Sequence, residues 1–261
     1  MPTEVSLISQ YPDLEGKVAL VTGGSRGIGA TTCLALARNG VKVAVNGRDE
    51  AAIDAVVASI RAQGGTACAA PADCADLAAV QAMRAKVTDA LGEPELLLPF
   101  AGGGSSRPMP FCDISEQDWR SSLDQNLTST FFVLKTFLPA LLARGSGAIV
   151  TMASAGGRVA AGAPAAYGAA KAGIIMLTRH LAAETGASGI RVNCISPSAV
   201  MTGRTAERIP PERQQQMRAA FPLGRLGQPE DVAAAALFLL SSASAWITGA
   251  TLDVAGGRVM S

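Results

Sequence analysis

Apolar positions follow two alternating patterns along the chain. Short runs rich in Val, Ile and Leu read as strands: KVALVT at 17–22, VKVAVN at 41–46, PELLLPF at 94–100, GAIVTMAS at 147–154, GIRVNCIS at 189–196 and GATLDVAG at 249–256. A weaker one lies in TACAAPAD at 66–73. Between them stand stretches with helical spacing at about 27–39, 49–64, 76–92, 115–144, 163–186 and 228–242. Residues 197–228 read as irregular. Regular strand–helix alternation with apolar strands predicts a single doubly wound α/β domain: a parallel sheet with helices on both faces. It runs over 17–261 after an N-terminal extension at 1–16. Ligands then bind beyond the carboxyl ends of the strands.

Composition narrows the class. The 261 residues are 49% apolar and 16% charged with a net charge of +1, which suits a globular enzyme and predicts no nucleic-acid partner. The longest unbroken apolar run, Val232 to Leu240, is too short to span a bilayer, and the N-terminus lacks the pattern of a signal peptide. Five scattered cysteines, none in a C-x-x-C pair, read as free thiols, so a cytoplasmic location is expected. One histidine, His180, sits in a helical pattern as a structural or surface residue; its solitude argues against a zinc site and a Ser-His-Asp mechanism. No metal is expected.

The first strand runs into TGGSRGIGA at 22–30, with glycines at 23, 27 and 29. This differs from G-x-G-x-x-G in spacing but suits the same task, a Rossmann-type turn that brings backbone N–H groups and a helix N-terminus against a pyrophosphate. Dinucleotide folds that take NAD place an acid at the end of the second strand. Here VNGRDE puts Gly47 and Arg48 there, and Arg26 lies inside the glycine turn. Two guanidiniums suit a ribose 2′-phosphate, so NADP(H) is favoured over NAD; the other reading is two solvated surface arginines. Asp49 serves as the ribose acid only if the strand ends later.

Tyr167 and Lys171, in YGAAK, stand at i and i+4 on one helix face. A nearby ammonium favours phenolate and lowers a tyrosine pKa toward the range of a general acid–base. Ser154, at the end of the fifth strand, offers a hydroxyl for a substrate oxygen.

In order and spacing, Thr22–Gly29, Asp73, Asn126, Ser154, Tyr167 and Lys171 resemble the short-chain dehydrogenase/reductase family over nearly the whole chain. The likeness is greatest to 3-oxoacyl-carrier-protein reductases and related ketone reductases, and the ending SSASAWITGATLDVAGG is similar to theirs. The resemblance implies a catalytic set of Asn126, Ser154, Tyr167 and Lys171. Tyr167 exchanges the proton, Lys171 binds the nicotinamide ribose, Ser154 orients the carbonyl and Asn126 holds a relay water. It implies cofactor contacts at Gly23, Ser25, Arg26, Gly27, Ile28, Gly29, Arg48, Asp73 (to adenine), Cys74, Ala101, Gly102, Tyr167, Lys171, Pro197, Val200 and Thr202. Two segments depart from the family: Pro99-Phe100 replaces Asn-Asn before Ala101-Gly102, and Ser198 replaces glycine after Pro197. Cofactor binding is expected to survive both, with packing by Phe100 in place of polar ties.

The resemblance places a substrate lid at about 198–225, with Arg204, Arg208, Arg213, Arg218 and Arg225. These read either as a dock for a carrier protein or CoA phosphate or as a solvated amphipathic helix. Met109, Phe111 and Met201 suit an apolar pocket or ordinary packing. Expected is an NADP-dependent reductase of ketones, 3-oxoacyl thioesters among them. The alternatives are an oxidative dehydrogenase of sugar alcohols, steroids or secondary metabolites, and a non-catalytic dinucleotide-binding regulator. Family members commonly pair through the helices near 115–144 and 164–186, which implies a homotetramer.

Overall fold

A computed structural model describes residues 9–103, 109–160, 162–208 and 210–260. Gly104 and the side chains of Arg204 and Arg208 therefore lie outside the described residues. Seven strands form one parallel sheet in the order β3-β2-β1-β4-β5-β6-β7. They are β1 (Val18–Thr22), β2 (Lys42–Gly47), β3 (Ala67–Pro71), β4 (Leu96–Pro99), β5 (Gly147–Met152), β6 (Ile190–Pro197) and β7 (Thr251–Val254). The order reverses between β1 and β4, where loops leave the strand ends in opposite directions and a crevice opens.

Alternate side chains along each strand go to opposite faces, each with its own helical cover. On one face Val21, Val45, Leu98 and Val150 join α1 (Gly27–Arg38), α2 (Glu50–Ala62) and α9 (Pro229–Leu240). On the other, Leu20, Ala44, Leu97 and Ile149 join α3 (Leu77–Leu91), α5 (Ser129–Arg144) and α6 (Ala165–Thr185). Side chains cap several helix starts. Asp49 accepts from the Ala52 N–H, Asp76 from those of Ala78 and Ala79, and Gln228 and Asp231 form a reciprocal box ahead of α9.

The region read as one helix at 115–144 is a continuous helical path in three parts. After α4 (Glu116–Leu123), a single π turn at Asp124–Thr128 leads into α5. Its length and composition would suffice to cross a membrane. Yet Val133, Leu134, Phe137 and Leu141 are buried on the sheet, as in the core helix of a globular fold. The stretch read as irregular holds two short helices, α7 (Gly203–Arg208) and α8 (Pro211–Arg218). The latter starts on Pro211, whose fixed φ suits a first helical turn. Arg225 is committed elsewhere, in a two-pronged ion pair with Asp231 at 2.6 and 2.7 Å.

Residues 9–16, read as part of an extension, pack on the amino ends of the strands. Leu14 is buried, the Tyr11 N–H donates to Asn39 Oδ1 at 2.7 Å, and Asp13 accepts from the Ser242 N–H at 2.8 Å. His180 is exposed, and none of the five cysteines is paired.

Leu97 is fully buried in the strand that carries one wall of the crevice. Leu97→Ala is expected to lower unfolding free energy by about 2–5 kcal/mol, measured by urea denaturation.

Candidate active site

The glycine turn and the carboxyl end of β4 are built around close backbone approach. At Gly29 a Cβ would lie 2.1 Å from the Gly23 carbonyl oxygen, so no side chain fits where the first turn of α1 folds back on the loop. At Gly102, φ is +144° and a Cβ would lie 2.6 Å from Asn126 Oδ1. Bare backbone here leaves a cleft with two lobes. The first, about 430 Å³, is lined by Gly23, Ser25, Arg26, Asn46, Arg48, Asp49, Asp73, Cys74, Ala101 and Gly102. The second, about 1010 Å³, shares Gly23, Arg26 and Gly102 and continues past Ile28 and Gly29 to Ser154, Tyr167, Lys171, Pro197, Ser198 and Thr202.

β4 ends as its sequence suggests. Pro99 is the last strand residue, opposite Thr22. The Phe100 side chain is buried in the core, so packing stands in for polar ties at that residue. The polar bracing comes from neighbours for which the sequence reading gave no bracing role, and Asn46 among them was not named at all. Thr22 Oγ1 accepts from the Ala101 N–H at 2.9 Å. Asn46 donates to the Ala70 and Ala72 carbonyls at 2.8 and 3.2 Å and accepts from the Cys74 thiol at 3.2 Å. Buried Asn at the end of an apolar strand was the available signal.

Asn126 is fully buried in the π turn. Its side chain accepts from the Gly103 N–H at 3.0 Å and donates to the Gly103 and Ser122 carbonyls at 3.3 and 2.9 Å. It thus ties the helix to the loop after β4. Its backbone carbonyl accepts from Thr130 Oγ1 at 2.8 Å and Ser129 Oγ at 3.2 Å. A π turn widens the helix by one residue, which is how this amide is aimed out of the ladder.

At the far end, Ser154 follows β5 and opens a 3₁₀ turn, accepting from the Gly156 N–H at 3.2 Å. The turn is fastened across β6 by a largely buried ion pair, Arg158 to Asp253 at 3.2 Å. Tyr167 and Lys171 lie in the first two turns of α6. Lys171 Nζ donates to the Met152 carbonyl at 2.9 Å and sits 5.7 Å from the centre of the Tyr167 ring. Burial pulls the Lys171 ammonium down to about 8. Tyr167 departs from expectation: burial raises its phenol above the usual value, while a hydrogen bond with Ser154 pulls it down. Desolvation of the phenolate outweighs that hydrogen bond in the free protein.

Of the other expected contacts, Gly27 and Thr202 line the second lobe, but the Val200 side chain turns into the core. Met109 and Phe111 are exposed to solvent. β2 ends at Gly47, so Arg48 follows the strand directly and Asp49 caps α2. Arg48 faces Asp73 at 3.7 Å, and Arg26 is hydrogen-bonded to Asp49. The chemistry of the cleft fits a dinucleotide: bare backbone and a helix N-terminus for a pyrophosphate, with polar groups at both ends.

Comparison with known proteins agrees. Residues 23–258 match the family model described as enoyl-(acyl carrier protein) reductase. The chain is 38% identical over 244 residues to the D-threitol dehydrogenase of Mycolicibacterium smegmatis, covering 94% of this chain and 93% of that one. It is 39% identical over 249 residues to the 3-oxoacyl-[acyl-carrier-protein] reductase of Synechocystis, covering 95% and 98%. A 7α-hydroxysteroid dehydrogenase solved with NADH and 7-oxo glycochenodeoxycholic acid superposes with a TM-score of 0.90 at 34% identity, over 96% of this chain and 97% of that one.

Buried Lys171 has a pH signature. Its folded-state pKa lies below the unfolded value, so the unfolded chain binds more protons between about pH 8 and 10.5 and this group makes stability rise with pH there. Buried thiols such as Cys33 and Cys74, raised by desolvation, act in the opposite sense above about pH 8.5. The wild-type minus Lys171→Met difference in unfolding free energy reports the lysine together with its coupling to the buried Cys194 thiol; it is expected to increase from pH 7.5 to 9.5 in urea titrations.

The fold, the cleft and these likenesses together make the chain a member of the short-chain dehydrogenase/reductase family, an oxidoreductase family that uses a nicotinamide dinucleotide, close to the 3-oxoacyl-carrier-protein reductase-like ketoreductases.

Proposed function

We propose that the chain is an NADP(H)-dependent reductase of ketones, with 3-oxoacyl thioesters among its substrates. The observation that carries this is the meeting of Ser154 and Tyr167 beside buried Lys171, at one end of a cleft whose other end holds Arg26 and Arg48. The bound nicotinamide supplies the hydride. Ser154 orients the carbonyl oxygen, and Tyr167 donates its phenolic proton to that oxygen as the alcohol forms. Lys171 holds the nicotinamide ribose hydroxyls, and its charge favours the phenolate that remains. Asn126 keeps the loop after β4 in place and holds the water that returns a proton toward Lys171. Gly23, Ser25, Gly27, Ile28 and Gly29 receive the pyrophosphate; Asp73, Cys74, Ala101 and Gly102 receive the adenosine. Pro197, Val200 and Thr202 border the carboxamide, with Val200 acting through the position of its backbone.

The likeness to D-threitol dehydrogenase supports a second reading, oxidation of a polyol or other secondary alcohol by the same residues in reverse. Exposed Arg213 and Arg218 suit an acidic carrier or CoA. Exposed Trp119, Phe131 and Met176 on α4–α6, with Trp246 and Leu252 at the other edge, support a homotetramer. Unpaired thiols favour the cytoplasm.

NADPH oxidation against a ketone panel that includes 3-oxoacyl thioesters, and NADP⁺ reduction against polyols, test both readings. Tyr167→Phe is expected to lower turnover about 10²–10⁴-fold while leaving cofactor affinity within about twofold. Tight cofactor binding without turnover on either panel would make the protein a binding module instead. Arg48→Ala is expected to weaken NADPH about tenfold relative to NADH in fluorescence titrations.

A further inference from the structure

Arg158 and Asp253 form an ion pair at 3.2 Å whose side chains are only 15% and 10% exposed. Burying two charges in this way gains little over apolar side chains of similar volume, so stability alone does not account for the pair. Its place in the fold offers another use. Ser154 is held by the short turn that it opens: its Oγ accepts from the Gly156 N–H at 3.2 Å and its carbonyl from the Gly157 N–H at 2.8 Å. That turn lies directly on α6. A Cβ at Gly157 would come within 2.7 Å of the Lys171 carbonyl carbon and the Ala172 nitrogen, and a Cβ at Gly168 within 2.8 Å of the Gly156 carbonyl oxygen. Arg158 is the first residue beyond the turn, and its N–H donates to the Ala155 carbonyl at 3.0 Å. Its side chain reaches past β6 to β7, where Asp253 is in register with Ser196. One side of the turn is thus set by α6 and its exit by β7.

We infer that Arg158 and Asp253 are positioning residues for the reaction: their ion pair anchors the turn after β5 so that the Ser154 hydroxyl stays on the Tyr167 phenol. The inference rests on the reading of Ser154 and Tyr167 as the pair that meets the substrate carbonyl. Ser154 is hydrogen-bonded to Tyr167. A hydroxyl on a loop keeps such a contact with a helix only as firmly as the loop itself is held. Packing on α6 stops the turn from moving inward but not from lifting away. The ion pair supplies the opposing hold, from a strand of the sheet rather than from the loop. A Cβ at Gly156 would stand 3.7 Å from both Ser154 Oγ and the Tyr167 ring, so the backbone of the turn passes beside the contact it positions. Among the described residues that line the lobe with Ser154 and Tyr167, neither Arg158 nor Asp253 occurs. Both therefore act through the turn and not by touching substrate.

The chain has two tyrosines, Tyr11 and Tyr167, so a ¹³C label on the tyrosine ring carbon that bears the hydroxyl reads the Ser154–Tyr167 contact without turnover. NMR of the labelled protein compares wild type, S154A, R158M, S154A/R158M and R158M/D253L, with Y167F to assign the line. R158M/D253L takes both charges out together and is expected to keep wild-type stability in urea. In R158M and R158M/D253L the Tyr167 line is expected to shift in the direction of S154A, by roughly half as much or more, with no further shift when R158M is added to S154A. On whichever ketone or alcohol the protein turns over, R158M/D253L is expected to lower kcat about tenfold and to leave the cofactor KM within about twofold. A Tyr167 line unmoved in R158M/D253L, or an R158M shift that adds in full to that of S154A, overturns the inference. Absence of turnover on every ketone and alcohol overturns the catalytic reading alone, because the Tyr167 line reports the hold of the pair on the contact in either case.

Discussion

Parallel pairing of β1 with β4 governs the molecule. From β1 the chain winds outward through β2 and β3, then returns to β4 on the other side of β1 and winds away through β5 to β7. The loops at the carboxyl ends of these two central strands therefore diverge, and no helix closes the gap between them. Whatever fills that gap meets backbone, so the sequence at both strand ends must carry almost no side chain. At Gly24, Gly29 and Gly102 even a methyl group would collide. The tripeptide Ala101-Gly102-Gly103 after a buried proline is the same requirement met on the β4 side.

Several of the bonds that hold the polar interior of the cleft run between a side chain and backbone. Lys171 keeps its ammonium buried and donates to the Met152 carbonyl. Such a group is destabilising for the free protein, and its persistence beside Tyr167 is the mark of a site arranged for chemistry rather than for stability. Asn126 is placed by a π turn, an unfavourable helical geometry that the surrounding packing maintains. The Arg158–Asp253 pair spans β6 and fixes the turn that begins at Ser154.

Much of this was legible in the residues. Strand and helix order followed from the change of apolar period, because a sheet covered on both faces demands continuous apolar strands. The glycine turn, Ser154, Tyr167 and Lys171 were marked by residue type and spacing. The bracing was not. Thr22, Asn46 and Gly103 act through partners 79, 28 and 23 positions away in the chain, so their bracing roles are not set by local sequence. The short helices α7 and α8 were read as irregular because their sequences carry mostly polar residues and present no apolar stripe.

Two features show where sequence alone stops. Composition and period determined a doubly wound sheet with a nucleotide cleft at its carboxyl edge, since burial of alternating strands leaves few other ways to arrange this chain. The sign of the Tyr167 shift and the charge balance at the adenosine end belonged to the tertiary structure. Burial depends on what packs from distant segments, and the pairing of Arg26 with Asp49 joins residues 23 positions apart on different turns. Residue type supplied the charges; only their distances decided which of them are already neutralised.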